Sequence, residues 1–309
     1  LNPLLKLACK SFFFDQSGSF IASGWAEPGA THFRFRVIQN IKVCRIFLII
    51  DIARISPAMM TLDQNLYDLF ADKADEEKIE ILSLGLGYTV VTLSGGGIGL
   101  SYTYFQNKTS CVLLNKMVDY ENRPAAELLE HIKSENTIER SMALALINAL
   151  NHDQALKLPE DKKNQILFDE FQIGKGSRIA MVGYFGPLVH MLQQRNTKLE
   201  ILDESRKLGQ KDEFYKKLGN WADVLFLTST SILNNTTETI LGHAHSNIKT
   251  VMLGPSTPMV GAAFEHLPVN MLAGTVPIDQ EKIVKAIRHG MGTPVLHRYS
   301  RKVFLDLSD

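Results

Sequence analysis

From Gly176 onward the chain alternates short apolar runs with helical stretches, and that rhythm limits the fold more than any other feature. The runs are Arg178–Val182, Leu199–Leu202, Val224–Leu227, Thr250–Leu253, Val269–Leu272 and Val303–Leu307. Between them lie Pro187–Gln194, Lys211–Leu218, Thr236–Leu241 and Gln280–Arg288, which read as helices. Strands joined through helices pair in parallel by right-handed crossovers, so this half predicts an α/β layer: a mostly parallel sheet with helices on both faces. Local signals agree. Pro187 suits a first helical turn, where its missing N–H costs nothing, Asp279 can cap the last helix, and Gly290 can end it.

Upstream the pattern differs. Leu62, Leu66, Leu69 and Phe70 recur at helical spacing between Thr61 and Ala71. A strand-like run follows from Ile79 to Leu93, then a turn at Gly95-Gly96-Gly97, a strand from Ile98 to Phe105 and a short one at Cys111–Leu114. Helices are expected over Ala125–Ile132 and Thr137–Leu150. Helix, meander and helix pair make a small α+β unit. The polar stretch Leu158–Lys163 interrupts this order, so the expected domains are 59–160 and 171–309.

In an open parallel sheet the ligand crevice lies at the carboxyl ends of the strands, and four loops there carry suitable chemistry. Gly183-Tyr184-Phe185-Gly186 lets a ligand approach the backbone at a helix start, but it is G-x-x-G, only part of a dinucleotide fingerprint. Asp203-Glu204 ends the next strand, and Asp203 lies 20 positions after Gly183, a spacing that suits a ribose-binding carboxylate. Thr228-Ser229-Thr230-Ser231 and Asn234-Asn235-Thr236-Thr237 offer neutral donors and acceptors, with Asn235 and Glu238 spaced as a capping-box pair. Gly254-Pro255-Ser256-Thr257-Pro258 is a stiff polar turn. In the first unit Glu139-Arg140 opens a helix on which Asn148 shares a broad face with Arg140 and Ser141; Arg140 could hold a carboxylate or phosphate, or could be an ordinary surface charge or serve in a salt bridge tying the two domains.

Other chemistries find little footing. Cys9, Cys44 and Cys111 are odd in number and never spaced C-x-x-C, which supports neither a disulfide framework nor a thiolate zinc site and fits a cytoplasmic setting. His243-x-His245 is the one close histidine pair, in a segment that reads as a helix end. No G-x-S-x-G elbow is present. Residues 1–58 hold seven Lys/Arg against three Asp/Glu, which leaves the rest of this neutral chain at −4 and argues against nucleic acid. The apolar stretch Ile46–Ile50 is far shorter than the about 20 residues that a membrane helix needs.

Taken together, Ile138-Glu139-Arg140 through Asn148-Ala149, Met181-Val182-Gly183-Tyr184-Phe185, Glu204, Ala222-Asp223-Val224 through Asn234-Asn235-Thr236, and Leu253-Gly254-Pro255-Ser256-Thr257-Pro258 form a pattern. On these segments residues 60–307 resemble a bacterial and archaeal family of two-domain proteins, the heavy-metal chelation domain DUF364 with its N-terminal companion DUF4213. The resemblance implies a first domain like the N-terminal domain of enolase, a Rossmann-like second domain, and a pocket at their junction built from the matching motifs. Pocket residues would then include Glu139, Arg140, Asn148, Gly183, Tyr184, Phe185, Gly186, Glu204, Thr228, Ser229, Asn234, Asn235, Thr236, Gly254, Pro255, Ser256 and Thr257. One departure stands out: the family tends to continue with a proline-containing turn after Glu204, and here Ser205-Arg206-Lys207-Leu208-Gly209 follows.

Two functions of different class fit this reading. One is a small-ligand-binding protein that handles a heavy metal, bare or as a chelate. The oxygen ligands Glu204 and Glu139 would favour hard cations. The alternative is an enzyme using an adenosine-containing cofactor such as S-adenosylmethionine or a nicotinamide, with Glu204 and Glu139 as acid–base candidates. A metal or small-molecule partner is expected, with no nucleic acid and no membrane, and a homo-oligomer is left open.

The first 58 residues carry seven of the 16 phenylalanines, show no sustained period, and give way to Met59-Met60 and a plausible helix entry. The expectation is that the natural protein starts at Met59 or Met60. Mass spectrometry of the protein isolated from its own cells then finds no peptide from residues 1–58; a single such peptide ends that expectation.

Overall fold

The computed structural model describes Phe12–Phe14, Phe20–Ala22, and residues 61–105 and 118–308. Phe12–Phe14 (β1) and Phe20–Ala22 (β2) pair antiparallel within a unit spanning Leu1–Met59. A second unit spans Met60–Asp309.

That unit opens with α1 (Leu62–Glu76), whose Thr61 side chain accepts the Gln64 N–H as an N-cap. Leu62, Leu66 and Phe70 are buried as their spacing predicts, whereas Leu69 faces outward at 46% exposure. The run expected as one strand is two: β3 (Ile79–Leu84) and β4 (Tyr88–Leu93) form a hairpin around Gly85-Leu86-Gly87, and β5 (Ile98–Tyr102) completes an antiparallel sheet. The strand expected at Cys111–Leu114 lies outside the described residues. Next come α2 (Ala126–Leu129), a 3-10 turn at Glu130–Lys133, α3 (Thr137–Leu150), α4 (His152–Ala155) and α5 (Gln165–Glu170).

Alternation then begins: β6 (Arg178–Val182), α6 (Gly186–Gln194), β7 (Lys198–Leu202), α7 (Lys211–Asn220) and β8 (Val224–Thr228). After β8 come α8 (Thr230–Leu233) and α9 (Thr237–Leu241), so the Thr/Ser-rich segment expected as loop is in part a short helix. The chain ends with β9 (Lys249–Leu253), β10 (Met271–Pro277), α10 (Gln280–Arg288), α11 (Thr293–Leu296) and β11 (Ser300–Asp306). The sheet order is β11-β10-β9-β8-β6-β7, parallel throughout except for β11.

Period-two alternation sorts the strand residues into two cores. Ile179, Met181, Val224, Phe226 and Val251 face α5 and α6, where Phe168, Leu188 and Leu192 meet them. Ala180, Leu225, Leu227 and Met252 face the opposite way, into the core shared by Phe214 and Leu218 of α7 and Ile240 and Leu241 of α9. Each such aliphatic or aromatic side chain contributes about 1.5–3 kcal/mol by leaving water.

The small sheet is covered on both sides. Val91 and Leu93 join the core that holds α3. Tyr88, Val90, Ile98 and Leu100 pack against Ile283, Val284 and Ile287 of α10, a helix that arrives nearly 200 residues later in the chain. Glycines permit the approach of α3: a Cβ at Gly99 would stand 2.1 Å from the Ala145 carbonyl oxygen and 2.2 Å from the Ala149 nitrogen. Because those neighbours are helix backbone, Gly99→Ala must push α3 off the sheet. It is expected to destabilise the fold by about 1–3 kcal/mol, read as a lower urea midpoint at unchanged m-value; an unchanged midpoint would show that the helix seat is loose.

Candidate functional site

β6 has β7 on one side and β8 on the other, so the strand order reverses between β6 and β8. Sheets of this kind open a crevice at that reversal, beyond the carboxyl ends of the strands. Gly183, the first residue after β6, holds a φ of +86° and gives its N–H to the Leu202 carbonyl at 2.8 Å. A Cβ there would lie 3.0 Å from the Thr228 Cβ, so only glycine lets the loops after β6 and β8 touch. α6 begins at Gly186, and Phe185 in the cap position makes no side-chain cap bond. The N–H groups of Tyr184, Phe185 and Gly186 have no acceptor among the described residues.

From Gly183 a closed circuit of contacts runs through the predicted loops. The Thr228 and Thr230 hydroxyls share a 3.0 Å hydrogen bond, and Asn234 donates its N–H to the Thr230 carbonyl at 3.3 Å. The Asn234 amide donates to the Tyr104 hydroxyl at 3.2 Å and accepts from the Thr236 hydroxyl at 2.7 Å. Tyr104 meets Tyr102 edge-on, with ring centroids 6.3 Å apart. The Tyr102 N–H donates to Ser256 Oγ at 2.7 Å, and the Asn148 amide, from α3, donates to the Ser256 carbonyl at 3.3 Å. The turn leads back through Gly254, with a φ of +132° and room for no Cβ: that atom would stand 2.7 Å from Ser229 Oγ. Ser256, Thr257 and Ser229 are buried, and the Thr257 hydroxyl has no partner among the described residues.

Other predicted residues are committed elsewhere. Arg140 is buried and makes five hydrogen bonds, one for every N–H it owns. It grips Asp63 at 2.7 and 2.8 Å, the Ile132 carbonyl at 2.6 Å, and the Ile232 carbonyl through Nε at 3.2 Å and again through Nη2. No donor is left for a carboxylate or phosphate ligand. Burial pushes the Asp63 carboxyl up from its ordinary value, and the guanidinium pulls against that shift. Glu139 accepts from the Ser134 hydroxyl at 2.5 Å and lies 3.2 Å from His131 Nδ1, whose other ring nitrogen is 2.7 Å from the Tyr120 hydroxyl.

Asp203 is not open to a ribose. It receives the Ser205 hydroxyl at 2.6 Å, the Arg206 N–H at 3.0 Å and the Arg206 guanidinium at 3.2 Å, and these bonds close a tight turn. Burial works to raise its pKa, yet those bonds hold it below the ordinary carboxylate value. Glu204 is exposed on that turn, beside the edge strand β7 and outside the circuit, although Arg206 reaches across to the Tyr184 ring at 5.1 Å. The expected capping pair is not formed. Asn235 sits exposed in the left-handed region at φ +54°, and Glu238 instead accepts the Leu62 N–H at 2.9 Å, capping α1. Tyr102, Tyr104 and Asp63 were not anticipated; two tyrosines at i and i+2 on the end of a strand were the available signal.

A soft heavy metal does not suit the circuit as a bare ion. Its groups are hydroxyls, amides and backbone N–H, and no cluster of three or more His, Cys, Asp or Glu fit to hold a metal occurs among the described residues. His243 and His245 turn to separate carbonyls, Thr239 at 2.8 Å and Ala222 at 2.7 Å. The cysteines lie outside the described residues. A cavity of about 370 Å3 opens next to the circuit, reaching Asp63, Arg140, Asn234 and Asn235.

Fold and crevice together define an α/β protein with a six-stranded, mostly parallel sheet, a small antiparallel sheet and a polar rim at the strand ends. Residues 166–306 match the DUF364 family and residues 67–151 match DUF4213, both described as "Putative heavy-metal chelation". The chain belongs to this family. It is similar to the uncharacterized protein MJ0500 of Methanocaldococcus jannaschii, at 22% identity over 250 residues, 78% of this chain and 94% of the relative. Two DUF364 structures of unknown function share the fold. That of PH1506 from Pyrococcus horikoshii has a TM-score of 0.65 and 21% identity, covering 80% of this chain and all of its own. That from Desulfitobacterium hafniense has a TM-score of 0.63 and 20% identity, covering 78% and 97%.

Removing Arg140 alone strands a partly buried carboxylate and two buried carbonyls. Arg140→Ala is expected to cost about 3–5 kcal/mol in urea unfolding, whereas Asp63→Leu combined with Arg140→Met recovers part of that loss. A single variant within about 1 kcal/mol of the parent contradicts this structural role.

Proposed function

We propose that the protein binds a small, anionic, oxygen-rich ligand at the reversal between β6 and β8, and that a heavy metal reaches it as the cargo of such a ligand. On this reading the pocket lies between an enolase N-terminal-like module, 59–160, and a Rossmann-like module, 171–309. The observation that carries it is the circuit itself: neutral hydroxyl and amide groups from five segments, next to a helix start whose N–H groups are unengaged among the described residues. Unengaged N–H groups and the helix dipole favour negative charge, and neutral donors suit carboxylate oxygens better than a naked cation. A chelate of a polycarboxylate presents that surface and would reconcile the family's description with the lack of a soft-ligand cluster among the described residues. The adenosine-cofactor reading loses its main residue, because Asp203 is occupied by Ser205 and Arg206.

Isothermal titration of the full chain with citrate, with Ni2+, and with the Ni2+–citrate complex tests the proposal. Citrate or its complex is expected to bind, Ni2+ alone to bind at least tenfold more weakly, and Asn234→Ala to weaken the complex at least tenfold. Tighter binding of the free ion, or an affinity indifferent to Asn234, refutes it.

A further inference from the structure

The cavity of about 370 Å3 shares Asn234 with the contact circuit and otherwise has its own walls. Two charged side chains on those walls, Lys133 and Glu135, are exposed and stand two residues apart, Lys133 at the end of the 3-10 turn and Glu135 just past it. Neither is ion-paired among the described residues, with the other or with any third group. The remaining charges lining the cavity, Asp63 and Arg140, neutralise one another. Lys133 Nζ rests 3.4 Å from the centroid of the Tyr67 ring, and the Tyr67 hydroxyl is anchored on Glu130 at 2.5 Å. An aromatic face steadies an ammonium without cancelling its charge, so its ionic bonding capacity stays open.

The wall is therefore polarised, one positive and one negative charge, with zero net charge. A singly charged ligand would satisfy one group and be repelled by the other; a ligand carrying both charges close together complements both. The volume sits near the lower end of small-ligand pockets, roughly 300–1,000 Å3, which suits a metabolite smaller than a nucleotide. Among the described residues Leu233 is the one apolar residue lining the cavity, which suits a ligand whose own side chain is polar. We infer that this cavity is a second site, independent of the chelate reading, for a zwitterion of the α-amino-acid type. Lys133 meets the carboxylate, Glu135 meets the ammonium, and the hydroxyl and amide walls meet a polar side chain.

Isothermal titration of the full chain with L-glutamine tests the inference, beside two truncated probes: 4-aminobutanamide, which lacks the carboxylate, and glutaric acid monoamide, which lacks the ammonium. L-Glutamine is expected to bind. Each truncated probe should bind at least tenfold more weakly, and Lys133→Met and Glu135→Gln should each weaken L-glutamine at least tenfold at an unchanged melting temperature. Citrate binding should be the same in both variants and the parent, which separates this site from the first. The inference is overturned if L-glutamine, L-asparagine, L-serine and L-lysine all give no heat, if either truncated probe binds as well as L-glutamine, or if affinity survives both substitutions.

Discussion

The buried grip of Arg140 on Asp63 and two backbone carbonyls holds together most of what surrounds the site. Its partners come from α1, from the turn before α3, and from α8, three segments that are distant in sequence. A buried guanidinium is stable only when its charge is paired and its donors are used, and here both conditions are met by groups that must be brought together for the purpose. The Ile232 carbonyl lies two residues before Asn234, so the same side chain that anchors the first half also sets the loop that carries the central amide of the circuit. An arginine that at first sight looks like a ligand hook is instead the fastening that keeps the rim in shape.

Close backbone approach is the second constraint. Gly99 lets α3 lie against β5, Gly183 lets the β6 and β8 loops meet, and Gly254 makes room for Ser229. In each case a methyl group would occupy space already taken. The rim is thus assembled from contacts too short for side chains, which is why its polar groups come from hydroxyls and amides reaching along the surface rather than from long charged residues. Tyr102 and Tyr104 close the circuit from the small sheet. That small sheet is steadied on its other face by α10, so the carboxyl-terminal region of the chain supports the site without contributing a residue to the circuit.

Neutral walls at the strand ends and a polarised wall in the neighbouring cavity divide the chemistry of this region. The first favours an anion through backbone N–H and hydroxyl donors, the second a molecule with both signs of charge. Asn234 stands at the boundary; through its bonds to Tyr104 and Thr236 its amide sets the shape of the rim while its side also walls the neighbouring cavity.

The alternation of apolar runs and helical stretches after Gly176 determined the larger sheet and its strand-end loops, because a strand buried on both faces must be apolar throughout and a parallel partner requires a crossover. Strands β6 to β9 and helices α6, α7, α9 and α10 fall within a few residues of where periodicity puts them. Gly183, Ser229, Gly254 and Ser256 were legible as strand-end loop residues for the same reason, since they follow β6, β8 and β9. Only the tertiary structure decided the rest. Arg140, Glu139 and Asp203 have the same chemistry whether free or engaged, and their partners lie in three dimensions, so sequence could not tell hook from fastening. The hairpin split at Gly85, the seating of α10 on the small sheet and the transfer of Glu238 to the start of α1 depend on which surfaces meet, and long-range packing, unlike local period, leaves no repeat to read.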